Sequence, residues 1–268
     1  MRRSMLLGAV AASLATTGCV QTRQFADLQF APPQGDYKLL VLRPDVQVSS
    51  ITTGGLPEPR ADWTEQARTH VIAALREQQA GRGGKTLVLE RRDAIPGVTA
   101  DQVADIERLN AAVSQSVALH KYIGVTLPTK RRRGLEYTLG QDAVRFGQRT
   151  GYDYALFMHA EDSFASTGRV ALQVLGIAGC FVGFCAPNIG GAGQSAYASL
   201  VDLRTGDVVW FNVVQASSQV AGIKFGDIRS KEGAAQLVDR LLGRMKPGKD
   251  IRRQQRQQRA QRSQGGTQ

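Results

Sequence analysis

Hydrophobic and polar positions change period along the chain, and the changes predict which elements form. Tyr37–Arg43 (YKLLVLR) is a short apolar run with polar flanks, which predicts a first, central strand. Residues 44–60 carry Pro44, Gly54, Gly55, Pro57 and Pro59, a composition that predicts an extended loop. Asp62 then opens a helix, with Glu65 three residues on as a capping box, and Trp63, Ala67, Val71, Ala74 and Leu75 form one apolar stripe. That helix stops at Gly81, and Lys85–Glu90 (KTLVLE) predicts a second strand. A second helix begins at Thr99 or Asp101 and repeats Val103, Ile106, Leu109, Ala112, Val113 and Val117 at helical spacing. Thr138 caps a third helix through Ala143, Val144 and Phe146, ending at Gly151.

From there the period falls to two. Tyr154–Glu161 and Arg169–Ile177 predict strands, and Ala196–Val214 (AYASLVDLRTGDVVWFNVV) predicts a hairpin. Its turn, Arg204 to Asp207, offers Gly206 for a positive φ and Asp207 for a side-chain-to-backbone bond. A last helix lies at 234–244, with Leu237, Val238, Leu241 and Leu242 on one face. A strand–helix–strand start argues a parallel pair, and successive later strands argue an antiparallel meander on the same sheet. The expectation is one mixed-sheet α/β (α+β) domain over residues 37–245, with helices packed on the sheet. No repeat or internal linker divides it.

Composition changes the picture mainly at the two ends. The formal net charge is +11, of which Arg2 and Arg3 supply +2 and the seven cations and one acid from Lys246 onward +6, which leaves +3 on the body. The high charge therefore belongs to a tail over 246–268 (RRQQRQQR and its flanks), expected to be disordered or a loose helix, and argues against a nucleic-acid-binding body. Arg252, Arg253, Arg256 and Arg259 are candidate contacts for an anionic partner, as is the loop cluster Lys130, Arg131, Arg132 and Arg133; a solvated tail and a solvated loop are the plain alternatives. At the other end, Arg2 and Arg3, an apolar Met5–Leu14 and small residues up to Gly18 read as a secretory signal over residues 1–18. The small residues before Cys19 resemble the lipobox of bacterial lipoproteins, which implies cleavage there and acylation of Cys19; ordinary signal cleavage is the alternative. Val20 after the cysteine implies, on the same resemblance, the outer membrane facing the periplasm. Arg2-Arg3 also loosely fits a twin-arginine export signal. Residues 19–36, with Pro32, Pro33 and Gly35, are expected to be a lipidated tether.

The stretches Lys38–Leu42 (KLLVL), Gly151–Phe157 (GYDYALF) and Ser199–Trp210 (SLVDLRTGDVVW) together resemble the CsgG / TolB-N-type periplasmic fold, with outer-membrane lipoproteins of the LpoB and PelC type as relatives. The resemblance spans about residues 37–245 and rests on fold-determining positions, with Asp202, Gly206 and Trp210 as hairpin and packing residues. It implies a lipoprotein that works by binding: activating envelope enzymes, guiding polysaccharide export or assembling secretion machines.

Catalytic motifs fail on context. Gly81–Thr86 ends like a phosphate-binding loop but lacks its first glycine and leads from helix to strand. Gly191–Ala196 fits a dinucleotide fingerprint, but a strand follows it. Gly193-Gln194-Ser195 is half a nucleophile elbow, with Tyr197 in place of the second glycine. His159, Glu161, Asp162 and Ser163 lie close in sequence, but strand alternation puts Asp162 on the face opposite His159 and Glu161. No metal site or cofactor is expected.

Between Arg169 and Asp202 no residue is charged. Cys180 and Cys185 within that stretch are candidate disulfide partners in an oxidising compartment, or two free thiols. The apolar, glycine-rich insert at 176–194 is readable as buried under the sheet, as an exposed contact for a subunit or membrane through Phe181, Val182, Phe184 and Ile189, or as a spanning segment. The sequence thus predicts a non-enzymatic, lipid-anchored periplasmic binding or assembly protein, engaging envelope proteins or polysaccharide and open to self-association. An oligomeric secretion or polysaccharide-export component with a membrane-contacting insert is the alternative, and a hydrolase of envelope polymers a further one.

Overall fold

The structure, a computed structural model, describes residues 19–125, 134–172, 193–217 and 226–265. Eight strands form one open mixed sheet: β1 (Cys19–Ala26), β2 (Lys38–Val41), β3 (Asp45–Ile51), β4 (Pro57–Pro59), β5 (Lys85–Val88), β6 (Tyr154–Ala165), β7 (Gly193–Asp202) and β8 (Asp207–Ser217). The order is β1-β8-β7-β6-β2-β5, with β3 also beside β6 and β4 beside β3. β2 runs parallel to both β5 and β6, whereas β6, β7, β8 and β1 are successively antiparallel. The expected parallel start and antiparallel meander are both present.

Helices cover both faces. On one, α1 (Ala61–Ala80) packs against α4 (Lys231–Leu242), and their Val71, Leu75, Leu237 and Leu241 meet Val41, Val46, Met158, Leu200 and Trp210 of the sheet. On the other, α2 (Ala100–Val117) and α3 (Gln141–Thr150) bring Val103, Ile106 and Phe146 onto Leu40, Leu42, Phe157 and Phe211. Alternation along each strand feeds two separate cores, which is why the central strands read as nearly continuous apolar runs.

The hairpin turn works as its glycine predicts and not as its last acid does. Gly206 has φ +81°, and a Cβ there would stand 2.4 Å from the Gly140 carbonyl oxygen. Asp202, not Asp207, makes the side-chain-to-backbone bond, accepting from Arg204 N–H (2.9 Å). The caps also move: α1 starts after Arg60, which makes no side-chain cap, and α3 after Gly140. Thr138 instead donates to the Gly206 carbonyl (3.0 Å), joining α3's approach to the hairpin. At α2, Thr99 and Gln102 form a reciprocal capping box.

Four stretches depart further from the sequence reading. The expected loop at 44–60 contains β3 and β4. The expected tether begins as β1, paired along its length with β8 from Cys19↔Ser217 to Ala26↔Trp210. Residues 167–172 are helical, which takes in the start of the strand expected at Arg169–Ile177; the remainder of that expected strand lies outside the described residues. The tail, expected to be disordered or a loose helix, forms the helix α5 (Gly248–Gly265). Among the described residues, no helix is long and apolar enough to cross a membrane.

Candidate functional site

β2 and β3 are one strand interrupted. Val41 lies opposite Leu156 and Asp45 opposite His159, so Leu42, Arg43 and Pro44 face only Phe157 and Met158. One extra residue makes a β-bulge, uncommon between parallel strands and characteristic of places where a side chain is re-aimed. Pro44 suits the position because it has no N–H to give to a ladder. The bulge turns Asp45 onto the α2 face, beside His159 on β6.

A cavity of about 240 Å³ opens here, beyond the carboxyl end of β2 and between the bulge and α2. Arg43, Arg68, Arg92 and Arg108 line it together with Asp45 and Glu107, and Phe157, His159 and Tyr197 come from the sheet. Such positions, outside the carboxyl ends of parallel strands, are where open α/β sheets hold ligands.

His159 is held on both sides. Its ring lies 2.8 Å from Asp45 Oδ2 through Nδ1 and 3.1 Å from Glu161 Oε1 through Nε2, which the protonated ring satisfies by donating twice. Burial works against the charged imidazole, but the hydrogen bonds and charges of Asp45 and then Glu161 outweigh it and raise its pKa. The same hydrogen bond lowers Asp45. Tyr197 stacks on His159 with centroids 5.0 Å apart and on Phe211 at 5.6 Å; burial, then Asp45 and Glu161, push its phenol up to about 12. With both nitrogens engaged, the ring presents no lone pair to a substrate proton. Asp162 lies buried on the opposite face, accepting from Gln194 Nε2 at 3.3 Å, and Ser163 Oγ donates to the Gly193 carbonyl (2.9 Å). Of the four residues close in sequence, His159 and Glu161 meet, and Asp162 and Ser163 bond elsewhere.

The arginines are unequally held. Arg92 Nε donates to Glu107 Oε2 (2.6 Å), and burial raises the Glu107 pKa against the pull of Arg92. Arg68 pairs with Glu65 and donates to the Val46 carbonyl (3.2 Å). Arg108 pairs with Asp105 on its own helix. Arg43 is 3.8 Å from Glu65, beyond hydrogen-bond reach. Arg68 Nε and Glu107 Oε1 are buried without a hydrogen-bond partner.

Of the residues singled out in the sequence, Cys19 opens the edge strand β1. Arg252, Arg253, Arg256 and Arg259 are all on α5. That helix lies antiparallel along β1: Gly248 N–H donates to the Phe30 carbonyl (2.9 Å), Ile251 is buried, and Gln255 Nε2 reaches the Gln24 carbonyl (3.4 Å). Lys249, Arg253 and Arg256 are exposed on the side opposite Ile251, and the helix heads toward the Cys19 end of β1. The sequence reading missed Gln24, whose amide joins three elements. It donates to the Arg244 carbonyl (2.7 Å) and accepts from Trp210 Nε1 (3.3 Å) and Lys246 N–H (3.2 Å). It also missed Asp45, hidden in the expected loop. Cys180, Cys185, Phe181, Val182, Phe184 and Ile189, with Lys130, Arg131, Arg132 and Arg133, lie outside the described residues. Among the described residues, no three His, Cys, Asp or Glu side chains gather as a metal site needs.

No family model matches the chain, and no curated protein matches it. Solved structures with a similar arrangement include the PelC dodecamer from Paraburkholderia phytofirmans, at 12% identity and TM-score 0.36 over 85% of this chain and 100% of that one. A point variant of the same dodecamer is similar at 13% identity and TM-score 0.34, again over 85% and 100% of the two chains. Lipoprotein GNA1162 from Neisseria meningitidis is similar at 16% identity and TM-score 0.26, over 68% of this chain and 81% of that one.

Proposed function

We propose that the chain is a lipid-anchored, non-enzymatic binding and assembly protein of the bacterial envelope, held at the periplasmic face of the outer membrane through Cys19. The observation that supports this reading most is the run of small residues ending at Cys19, joined directly to the edge strand β1. An acyl chain there would hold the sheet itself against the bilayer. A diacylated cysteine is a stable anchor by itself, and the exposed Lys249, Arg253 and Arg256 beside β1 are suited to add an attraction to anionic surfaces. The opposite edge strand, β5, is left for partners in the periplasm, whether envelope proteins or polysaccharide.

Growth of a bacterial host with an alkyne-tagged palmitate tests the anchor. The wild-type chain takes up the tag and sediments with outer membranes, and Cys19→Ser is untagged and released with the soluble periplasm. A wild-type chain that stays untagged and soluble overturns the proposal. The alternative, an oligomeric export component, draws on exposed Leu119, Ile123 and Val125 where α2 ends. Light scattering of the detergent-extracted chain separates the two: a monomer or dimer removes it.

A further inference from the structure

We propose that the cavity at the β2–β3 bulge is a binding site for a carboxylate or phosphate group carried on a body no larger than one sugar ring. Four guanidinium groups line a single small space against two carboxylates, Asp45 and Glu107. Asp45 is hydrogen-bonded to His159, and Glu107 meets Arg92 through one of its two oxygens. Arg92, Arg68 and Arg108 are paired with Glu107, Glu65 and Asp105, whereas Arg43 is only loosely held, so an oxyanion in the cavity would meet one available cation backed by three paired ones. Guanidinium is the side chain best matched to the geometry, because its planar fork meets carboxylate or phosphate oxygens two at a time.

The cavity has an acceptor for such a group. Arg43 stands on the bulge with only a 3.8 Å approach to Glu65, and its side chain is 31% exposed. Exposed pairs of this kind contribute little and exchange readily. Of the residues that line the cavity, Arg68 has a buried Nε without an acceptor and Glu107 a buried Oε1 without a donor. A ligand that draws either side chain inward can satisfy it, and a hydroxylated anion carries both complements. The volume bounds the part of the ligand that is enclosed, since about 240 Å³ is below the range of sites that enclose whole drug-sized ligands. The site is independent of the anchor at Cys19, and either can fail alone.

Calorimetric titration of the full-length chain in detergent tests the site, with D-glucuronate, inorganic phosphate and D-glucose as probes. Glucuronate or phosphate binds at one site per chain, at least tenfold tighter than glucose. Tighter glucuronate identifies a sugar acid as the source of the charge, and tighter phosphate a phosphorylated group. Arg43→Gln, at a partly exposed and loosely paired position, weakens the preferred anion about tenfold while the melting temperature stays unchanged. Arg92→Gln weakens it as well and also strips Glu107 of its partner, so it is read beside Arg43→Gln and not in its place. Failure of both anions to bind, glucose binding as tightly as glucuronate, or Arg43→Gln binding like wild type overturns the site.

Discussion

At the residue scale the most informative group is His159. Asp45 faces it from β3, Glu161 from its own strand, Tyr197 from β7, and Glu107 and the arginines Arg43, Arg68 and Arg92 share the adjoining cavity. Its folded pKa is raised above the ordinary 6.5, so the charged ring binds its proton more tightly folded than unfolded. The stability this supplies is complete below about 6.5 and is lost as the pH climbs through the folded value. His159→Gln is therefore expected to cost more in urea unfolding at pH 6 than at pH 9; an equal cost at both ends removes the clamp as a source of stability. The pair with Asp45 was not legible in the sequence, because half of it lay in a segment whose prolines and glycines read as loop. Gly206 and Trp210 were legible. A glycine in a four-residue turn and a tryptophan on an alternating strand carry their reasons locally, and Trp210 is fully buried.

At the element scale, the strands β1, β3 and β4 went unread, and α5 was read only as disordered or a loose helix, for different reasons. β3 (DVQVSSI) alternates buried and exposed residues correctly, but half its positions are polar and its flanks carry turn residues. β1 (CVQTRQFA) has few apolar side chains to advertise it; its pairing with β8 is made of backbone hydrogen bonds, which the side-chain pattern does not display. α5 has a mean composition of arginine and glutamine, and its docking rests on Ile251, 5% exposed, with Gln255 bonded to β1. Truncating that one apolar contact is the direct test of whether the tail is part of the fold. Ile251→Ala should cost about 2–3 kcal/mol of local stability, seen as faster hydrogen exchange in α5 with little change in β6 or β7. Unaltered exchange in α5 would show that Ile251 does not hold it.

At the scale of the whole molecule, the sheet divides labour between its edges. β1 and α5 place Cys19 and a cationic surface on one side, and β5 lies at the far edge. A flexible tether of the eighteen residues 19–36 would let the body wander roughly 20–25 Å from the proposed anchor; a strand that starts at Cys19 would remove that freedom. On the proposed function, the charge would then meet the surface in a fixed pose. Changing Lys249, Arg253 and Arg256 together to Gln leaves Ile251 in place, and at about 1 kcal/mol per cation the loss is on the order of a hundredfold in affinity for phosphatidylglycerol vesicles. Binding that survives both this change and 0.5 M salt would assign attachment to something other than charge. The two-faced α/β plan was legible from period alone, while the partition between edges depends on pairings across distant sequence.

The bulge at Leu42–Pro44 has a consequence for how this chain can change over evolutionary time. β2 and β3 keep different reading frames with respect to β6, and the three residues between them are where the frame shifts. Removing one would rotate every later side chain of β3 to the opposite face. Asp45, Gln47 and Ser49 would then point at the α1 core, and Val46 and Val48, now 1% and 2% exposed, would point away from it. The length of this short join is therefore fixed far more tightly than its composition, and variation there is confined to substitution.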